Sequence, residues 1–179
     1  PKRCGQVAGK EVVPLDEMLG KVRAALAARR DPNFVIIARI DARQPLGFDE
    51  AVRRGRACAE AGADMIFPEA LESAEEYAAY AREVRAPLLA NMTEFGKTAN
   101  LTAAELQELG YKAVIFPASA LRVALYAMRD FYRDLKQTGT QAKWLDRMMT
   151  RSELYELVDY DAYIEAEREF VGKAVPPLS

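Results

Sequence analysis

Short apolar runs alternate with longer stretches of mixed polarity along most of this chain. The run at residues 34–38 (FVIIA) is continuous, β-branched and too short for a helix, a pattern typical of a strand buried on both faces. Similar short runs at residues 64–67, 87–90 and 113–116 predict three more strands. In the stretches between them, apolar residues recur at helical spacing. The alternation predicts four parallel strand–helix units with right-handed crossovers.

Local signals mark the ends of the predicted helices. Residues 10–13 lead into the first helix, and Asp49 is predicted to cap the second. The capping-box pattern, Ser or Thr followed three positions later by Glu, predicts helix starts at Ser73, Thr102 and Thr150. Glycines are predicted to end helices at Gly62, Gly110 and Gly139.

Charged, hydroxyl or amide side chains follow each predicted strand. In chain order these residues are Arg39 and Asp41, Glu69, Asn91 with Thr93 and Glu94, and Ser119 with Arg122. Because parallel strands bring their carboxyl ends to one edge, this arrangement is typical of the catalytic face of an α/β barrel. A doubly wound sheet also gathers functional groups there, but the sequence lacks its G-x-G-x-x-G turn. We therefore predict an α/β fold, a (β/α)8 TIM barrel, of which four strands can be counted here.

Composition favours chemistry on small molecules. The 179 residues, 50% of them hydrophobic, are enough for one core of ordinary size. Lys and Arg number 25 against 27 Asp and Glu, giving a net charge of -2 with both signs mixed along the chain. That balance argues against a nucleic-acid partner and against an anionic membrane. No run approaches the ~18 apolar residues of a membrane-spanning helix. Two cysteines make no disulfide framework, so we expect a reducing cytoplasm.

The candidate for reactive chemistry is Cys4, which follows Lys2 and Arg3 and precedes Gly5. The two cations favour the thiolate, and the glycine suits a loop that folds over a substrate. The plain alternative is a free thiol on a frayed terminus. The chain has no histidine, which excludes a Cys-His pair or a Ser-His-Asp triad built from its own residues. We interpret the second cysteine, Cys58, as a core residue.

Five motifs occur in the order and spacing of one enzyme superfamily. They are residues 2–5 (KRCG), 38–42 (ARIDA), 67–70 (FPEA), 89–96 (LANMTEFG) and 116–122 (FPASALR). On these motifs the chain resembles the isocitrate lyase and phosphoenolpyruvate mutase superfamily, and within it the 2-methylisocitrate lyases. Further matches at residues 139–141 and 150–155 extend the resemblance over nearly the whole chain.

The resemblance implies that this chain is about the second half of the barrel. Family members carry the cysteine motif in a mobile loop after the fourth strand, so we expect the N-terminal half of the same enzyme to be missing. The implied organisation is a catalytic loop at residues 1–13, the second half of the barrel at 14–139, a C-terminal helical extension at 140–170 and a flexible tail at 171–179. In the family the extension is exchanged between subunits, which implies a homo-oligomer, a dimer of dimers.

The implied reaction is the Mg2+-dependent cleavage of 2-methylisocitrate, a 2-hydroxy tricarboxylate, to pyruvate and succinate in the methylcitrate cycle of propionate catabolism. Cys4 matches the family's proton donor, with Lys2 and Arg3 as its catalytic neighbours. The expected substrate contacts come from Gly5, Gln6, Arg39, Glu69, Asn91, Thr93 and Arg122. Arginines suit bidentate pairing with carboxylates. Glu69 matches a glutamate that reaches Mg2+ through water, and the main metal ligands are expected in the missing half.

Two departures from the family leave the substrate open. Gln6 stands where many relatives have histidine, and Ile40 stands where the Arg-Thr-Asp pattern has threonine, which removes a hydroxyl next to Arg39. The alternatives are a related lyase acting on isocitrate or a dialkylmalate, or an oxaloacetate decarboxylase. Arg39 beside Asp41 is also consistent with a structural ion pair at a strand end. An alternative of another class is a non-catalytic half-barrel that serves as an assembly module.

Overall fold

The computed structural model describes residues 9–97 and 100–171 and contains strands and helices in regular alternation. The strands are β1 (Ile37–Ile40), β2 (Met65–Pro68), β3 (Leu89–Asn91) and β4 (Ala113–Ile115). The helices are α1 (Leu15–Ala28), α2 (Arg43–Leu46), α3 (Phe48–Glu60), α4 (Ala74–Glu83), α5 (Ala103–Glu108), α6 (Ser119–Thr138), α7 (Arg151–Leu157) and α8 (Tyr160–Val171), with a 3-10 helix at Ala142–Arg147. The predicted alternation of strands and helices is confirmed.

The strands are parallel and follow one another in chain order. β1 pairs with β2, and β3 pairs with β4. A parallel bridge between Ile66 and Leu88 joins the two pairs, and the Ile66 amide donates to the Pro87 carbonyl at 2.9 Å. A doubly wound sheet would reverse this order at a switch point. Because the strands are parallel, their carboxyl ends lie at one edge, where the candidate site lies, and the consecutive order makes strands that are neighbours in sequence neighbours at that edge.

The hydrophobic core lies between the strands and the helices. Ala38 and Ile40 of β1 and Ile66 of β2 belong to it, together with Tyr80 of α4. Cys58 of α3 is buried in the same cluster, and burial raises the pKa of its thiol. A buried, protonated thiol is unreactive, so the interpretation of Cys58 as a core residue is confirmed.

The opposite face of the sheet is only partly covered by the described residues. Ile37 of β1 is 44% exposed and Ile115 of β4 is 37% exposed. Phe34 and Val35, which precede β1, are exposed as well. The prediction that the first strand is buried on both faces is therefore wrong for this chain, because the helices cover one face of the strand.

Two element boundaries differ from the predictions for local reasons. β1 begins at Ile37, later than predicted, because its pairing with β2 starts where Ile37 lies opposite Met65. Asp49 does not cap α3; the N-cap is Gly47, whose φ of +92° lets the backbone turn from the short α2 directly into α3. Asp49 lies in the first turn of α3, where the helix dipole favours a carboxylate.

The predicted N-caps of α4, α5 and α7 are confirmed. The side chains of Ser73, Thr102 and Thr150 each accept a hydrogen bond from the backbone amide three residues later, and the box is reciprocal at the two threonines. The predicted stop glycines have positive φ at Gly62, Gly110 and Gly139. The final helical stretch is divided into α7 and α8 at Asp159, whose φ is +51°.

A first compact unit ends at Ala124, and a second begins at Leu125. Within the second, Phe131 packs edge-on against Trp144 with ring centroids 5.7 Å apart, and the Trp144 indole donates to Asp134 at 3.2 Å. Large apolar side chains of this unit are exposed at Leu145, Met149, Leu154, Leu157, Val158, Tyr163 and Phe170. The predicted domain boundaries, including the tail, stay predictions. No helix among the described residues is long and apolar enough to cross a membrane.

Candidate active site

Arg39, near the end of β1, binds carboxylates from two neighbouring strand ends. Its Nε and Nη2 atoms donate to Asp41 Oδ2 and Oδ1 at 2.9 and 3.0 Å. Nη2 also lies 3.0 Å from Glu69 Oε2, beyond the end of β2. The guanidinium carbon lies 4.9 Å from the centroid of the Phe67 ring. Because Arg39 and Phe67 are partners in the parallel register, both side chains lie on the same face of the sheet.

Glu69 and Asn91 extend this arrangement to the third strand. The Glu69 side chain is 1% exposed, and its Oε2 accepts a hydrogen bond from Asn91 Nδ2 at 3.2 Å. Asn91 Oδ1 is buried and has no hydrogen-bond partner among the residues that the structure describes. A buried acceptor of this kind requires a donor. The structure therefore brings Arg39, Glu69 and Asn91 together, with one acceptor left for a ligand or a water molecule.

Asp41 is held ionised by two cations. Lys10 Nζ lies 3.4 Å from Asp41 Oδ1, and the Lys10 side chain is only 5% exposed. Burial alone would raise the pKa of Asp41, but the hydrogen bonds and charges of Arg39 and Lys10 outweigh it and lower that pKa. The structural ion pair considered for Arg39 and Asp41 is present, and it orients the guanidinium toward Glu69.

A second cluster lies beyond β3 and at the start of α6. Glu94 accepts a short hydrogen bond from the Ser119 hydroxyl and lies 3.5 Å from Arg122 Nε. The Ser119 hydrogen bond is the main cause of a lowered pKa of Glu94. The Arg122 guanidinium also lies over the exposed ring of Phe95, 5.0 Å from its centroid. Thr93 is half-buried in the same strand-end loop.

A cleft borders the Arg39 cluster. It has a volume of about 670 Å³ and is lined mainly by residues 9–13, residues 39–42 and Arg54. The charged groups of Lys10, Arg39 and Asp41 therefore face space large enough for a small polar ligand.

The donor atoms partly fit a magnesium ion. Mg2+ is bound by hard oxygen donors and usually keeps several waters. Glu69 supplies a buried carboxylate, and the Asn91 Oδ1 atom beside it is an oxygen in need of a partner. Among the described residues no group of three or more His, Cys, Asp or Glu side chains is placed to hold a metal. These residues thus suit a contact to Mg2+ through water.

The residues of the predicted loop, Lys2, Arg3, Cys4, Gly5 and Gln6, lie outside the described residues, so their roles stay predictions. Of the other predicted contacts, Arg39, Glu69 and Asn91 meet in one cluster, and Arg122 belongs to the cluster around Glu94.

Three side chains of the candidate site were not predicted from the sequence, and a fourth residue lies on a different face of its strand from the one expected. Lys10, Phe67 and Phe95 contact the predicted residues, yet only Phe67 had a signal in the sequence: it precedes Glu69 by two positions, as Arg39 precedes Asp41. Nothing in the spacing around Lys10 indicates its burial. Ile40 packs in the core with Ala38 and Ile66. Its side chain therefore points toward the helices. A threonine in its place would carry its hydroxyl on that side of the strand and not beside the Arg39 guanidinium.

Comparisons with known proteins find relatives along most of this chain. A family model described as phosphoenolpyruvate phosphomutase matches residues 3–136. A probable 2-methylisocitrate lyase of Corynebacterium glutamicum is 52% identical over 164 residues, covering 91% of this chain and 54% of that protein. The chain spans about half the length of the curated relatives it matches.

Solved structures resemble the fold closely. 2,3-dimethylmalate lyase, described as a PEP mutase/isocitrate lyase superfamily member, matches with a TM-score of 0.85 and 38% identity over 94% of this chain and 56% of that one. Oxaloacetate acetylhydrolase in complex with 3,3-difluorooxalacetate matches with a TM-score of 0.88 and 36% identity over 97% of this chain and 59% of that one. Phosphonopyruvate hydrolase in complex with oxalate and Mg2+ matches with a TM-score of 0.78 and 31% identity over 94% of this chain and 61% of that one.

These matches extend along nearly the whole chain and include the strand ends that carry the Arg39 cluster. The resemblance inferred from the five motifs is confirmed. The chain belongs to the phosphoenolpyruvate phosphomutase family, within the PEP mutase/isocitrate lyase superfamily.

Proposed function

We propose that the protein carrying this chain is a carbon–carbon lyase that cleaves 2-methylisocitrate to pyruvate and succinate. One observation carries the proposal: the guanidinium of Arg39, the carboxylate of Glu69 and the amide of Asn91 meet within hydrogen-bonding distance beside three neighbouring strand ends. Cations and amides at this edge suit a substrate rich in carboxylates. The name of the 52% identical relative supports the same substrate. The proposed reaction belongs to propionate catabolism.

The described residues would bind and orient the substrate. Arg39 is preorganised by its two hydrogen bonds with Asp41, so little side-chain entropy is lost when it meets a substrate carboxylate. Asn91 Oδ1 is an acceptor suited to the substrate hydroxyl. Thr93 and Arg122 are the proposed contacts for the remaining carboxylates. Binding at Arg122 would compete with its present partner, Glu94.

Cys4 is the proposed proton donor. The substrate hydroxyl loses its proton to a base, the adjacent carbon–carbon bond breaks, and pyruvate departs. The bond's electron pair remains on the succinate carbon, where it is stabilised as an aci-carboxylate. The Cys4 thiol then gives its proton to that carbon and becomes a thiolate, which neighbouring Lys2 and Arg3 stabilise. Gly5 and Gln6 complete the proposed loop contacts, and closure of the loop would exclude water.

Glu69, assisted by Asn91, is the proposed contact of this chain to Mg2+, reached through water. A bound Mg2+ would supply Lewis-acid stabilisation of negative charge on substrate oxygens. The phosphonopyruvate hydrolase complex with oxalate and Mg2+ supports this cofactor.

The four strand–helix units are proposed to be part of a (β/α)8 barrel, completed by the N-terminal half of the same enzyme. The consecutive parallel order of β1 to β4 supports this arrangement. The partly exposed sheet face that bears Ile37 and Ile115 would then be the inner wall of the barrel. The barrel predicts that these two side chains become buried in the full-length enzyme.

Assembly into a homo-oligomer, a dimer of dimers, is proposed for the C-terminal helices. The exposed apolar side chains of α7 and α8, among them Leu154, Leu157 and Phe170, support an exchange of these helices between subunits. Light scattering on the purified protein tests this: a monomer at micromolar concentration would contradict it.

The function is tested by measuring pyruvate release from 2-methylisocitrate in the presence of Mg2+. We expect turnover by the wild-type protein, loss of turnover on chelation of the metal, and at least 100-fold lower kcat in Cys4→Ser, by the usual size of general-acid effects. Cys58→Ala is the matched control, because it removes the other thiol from the core. Normal turnover in Cys4→Ser would remove Cys4 from the mechanism.

A second candidate substrate is 2,3-dimethylmalate, favoured by the 38% identical lyase structure. Isocitrate and oxaloacetate complete the panel, the latter because of the match to oxaloacetate acetylhydrolase. The substrate with the highest kcat/KM identifies the enzyme. Absence of turnover on all four would favour the non-catalytic assembly module.

A further inference from the structure

The carboxylate of Glu94 connects two neighbouring strand ends. Glu94 lies in the loop after β3, and it contacts two residues in the first turn of α6, which follows β4. The Ser119 hydroxyl donates a short hydrogen bond to Oε1, and Arg122 Nε lies 3.5 Å from Oε2. Oε2 is buried and has no hydrogen-bond partner among the residues that the structure describes. Ser119 therefore fixes the carboxylate, while its pairing with Arg122 is loose.

The two arginines of the candidate site are paired with carboxylates in different ways. Arg39 donates two hydrogen bonds to Asp41, at 2.9 and 3.0 Å, and its side chain is 26% exposed. Arg122 is 44% exposed, and its contact with Glu94 is an ion pair without a hydrogen bond. Two parallel hydrogen bonds make the strongest pair between an arginine and a carboxylate. A substrate carboxylate that forms both bonds would thus pair with Arg122 better than Glu94 does.

The neighbouring residue, Phe95, gives the guanidinium of Arg122 a second contact. The guanidinium carbon lies 5.0 Å from the centroid of the Phe95 ring, which is exposed. The backbone at Phe95 has a φ of +61°, which is uncommon for a bulky residue. Because Glu94 and Phe95 are adjacent, one short segment contacts the guanidinium with both a carboxylate and a ring. Cation–π contacts at exposed sites are weak, so neither contact prevents the guanidinium from changing partners.

We propose that Glu94 is a specificity-determining residue, the resident counterion of Arg122, which a substrate carboxylate displaces on binding. This inference rests on the proposed substrate-binding role of Arg122. In the free protein Glu94 neutralises the guanidinium, so an anion that cannot form a bidentate pair gains little by replacing it. A carboxylate that forms the bidentate pair gains two charge-assisted hydrogen bonds. Glu94 therefore lowers the affinity for anions in general and favours carboxylates among them.

The experiment compares Glu94→Gln, Arg122→Gln, the double variant and the control Glu17→Gln in the full-length enzyme. Glutamine keeps the shape of Glu94 and can still accept a hydrogen bond from Ser119, but it carries no charge. Glu17 is an exposed residue of α1 that pairs with Lys21. The probe is tricarballylate, which has three carboxylates but no hydroxyl and therefore cannot be cleaved. Its dissociation constant is measured by isothermal titration calorimetry with Mg2+ present, alongside KM and kcat for 2-methylisocitrate.

We expect Glu94→Gln to bind tricarballylate about two- to fivefold more tightly, the usual range for an ion pair at the surface. KM should fall by a similar factor, and kcat should change less than KM. Arg122→Gln should weaken binding by about tenfold or more, because charge-assisted hydrogen bonds are lost. In the double variant the Glu94 replacement should add nothing, because Glu94 acts through Arg122. Glu17→Gln should bind the probe as the wild type does.

Weaker binding and a higher KM in Glu94→Gln would overturn the inference, because Glu94 would then support Arg122 rather than compete for it. An unchanged affinity would overturn it too, as would a gain that persists in the double variant or the absence of measurable binding in every protein. Glu94→Ala, which also removes the carboxylate, should repeat the gain. The binding measurements need no turnover. If the wild-type protein cleaves none of the four substrates, the proposed reaction fails while the displacement of Glu94 is still tested.

Discussion

Replacing Glu69 with glutamine removes a negative charge from the Arg39 cluster while keeping the shape of the side chain. Glu69 Oε2 forms an ion pair with Arg39 Nη2 at 3.0 Å and accepts a hydrogen bond from Asn91 Nδ2 at 3.2 Å. A hydrogen bond with a charged group contributes ~1.5–3 kcal/mol and a neutral one ~0.5–1.5 kcal/mol, a difference of about 1 kcal/mol per bond. One such bond and a similar loss at the ion pair with Arg39 together give an expected loss of about 2 kcal/mol in the free energy of unfolding.

The loss should stay below the ~3–5 kcal/mol found when a buried ion pair loses one partner. Arg39 keeps both hydrogen bonds with Asp41 in the variant, so its charge remains compensated. The loss of activity in Glu69→Gln should be larger than its loss of stability alone would cause. A group that supports a metal or its ligands typically costs ~10- to 100-fold in metal affinity or activity when it is changed. We expect a kcat/KM lower by that factor and a higher Mg2+ concentration at half-maximal rate.

Urea unfolding followed by circular dichroism measures the loss in the free energy of unfolding. Pyruvate release over a Mg2+ titration measures the loss of activity and the change in Mg2+ dependence. Glu17→Gln is the matched control, because Glu17 also binds a cation, Lys21, at 2.6 Å, but is 50% exposed. That variant should lose about 1 kcal/mol or less and keep its Mg2+ dependence. Wild-type stability together with wild-type Mg2+ dependence in Glu69→Gln would refute the reasoning about this carboxylate.

Three further predictions concern the fold and its pH dependence. Gly55→Ala should cost ~1–3 kcal/mol in urea unfolding, because its Cβ would overlap the Tyr80 hydroxyl in the core; an unchanged midpoint would contradict the packing. Asp41 has a lowered folded pKa, so it stabilises the protein above its unfolded value of about 3.9 and this contribution is lost as the pH falls through the folded pKa. The difference in unfolding free energy between wild type and Asp41→Asn should therefore shrink below about pH 4, and a constant difference down to pH 2 would refute the assignment. Thr102→Ala removes the hydroxyl half of the capping box with Glu105 and should cost ~1 kcal/mol, with faster hydrogen exchange in α5 and no change in α3.

The order of elements could be predicted because it depends on local chemistry. Thr102 and Thr150 cap helices through contacts that span three residues, so the sequence alone carries the signal. The start of β1 could not be predicted in the same way. A strand begins where its neighbour offers a partner, and the pairing of Ile37 with Met65 joins residues far apart in the sequence. The break at Asp159 has no local glycine or proline to announce it.

In the candidate site, too, the features set by local sequence could be predicted, and the contacts between distant residues could not. Side chains alternate between the faces of a strand, so Arg39 and Asp41 were expected on one face. The same rule places the Ile40 side chain on the other face, in the core, so a threonine hydroxyl at this position would not lie beside the Arg39 guanidinium. The contact of Lys10 with Asp41 spans 31 positions and leaves no periodic trace, so only the structure reveals it.

The charges of the described clusters constrain how a tricarboxylate could be attracted. Lys10 and Arg39 face Asp41 and Glu69, two positive charges against two negative ones, so this group has no formal net charge. The cluster around Arg122 is likewise balanced by Glu94. Such arrangements orient a ligand through hydrogen bonds but supply little long-range attraction. The net positive charge that the proposed substrate requires would then come from Lys2 and Arg3 of the proposed catalytic loop and from the metal. Substrate affinity should therefore depend on loop closure and Mg2+ more steeply than on the charge of Arg39 alone.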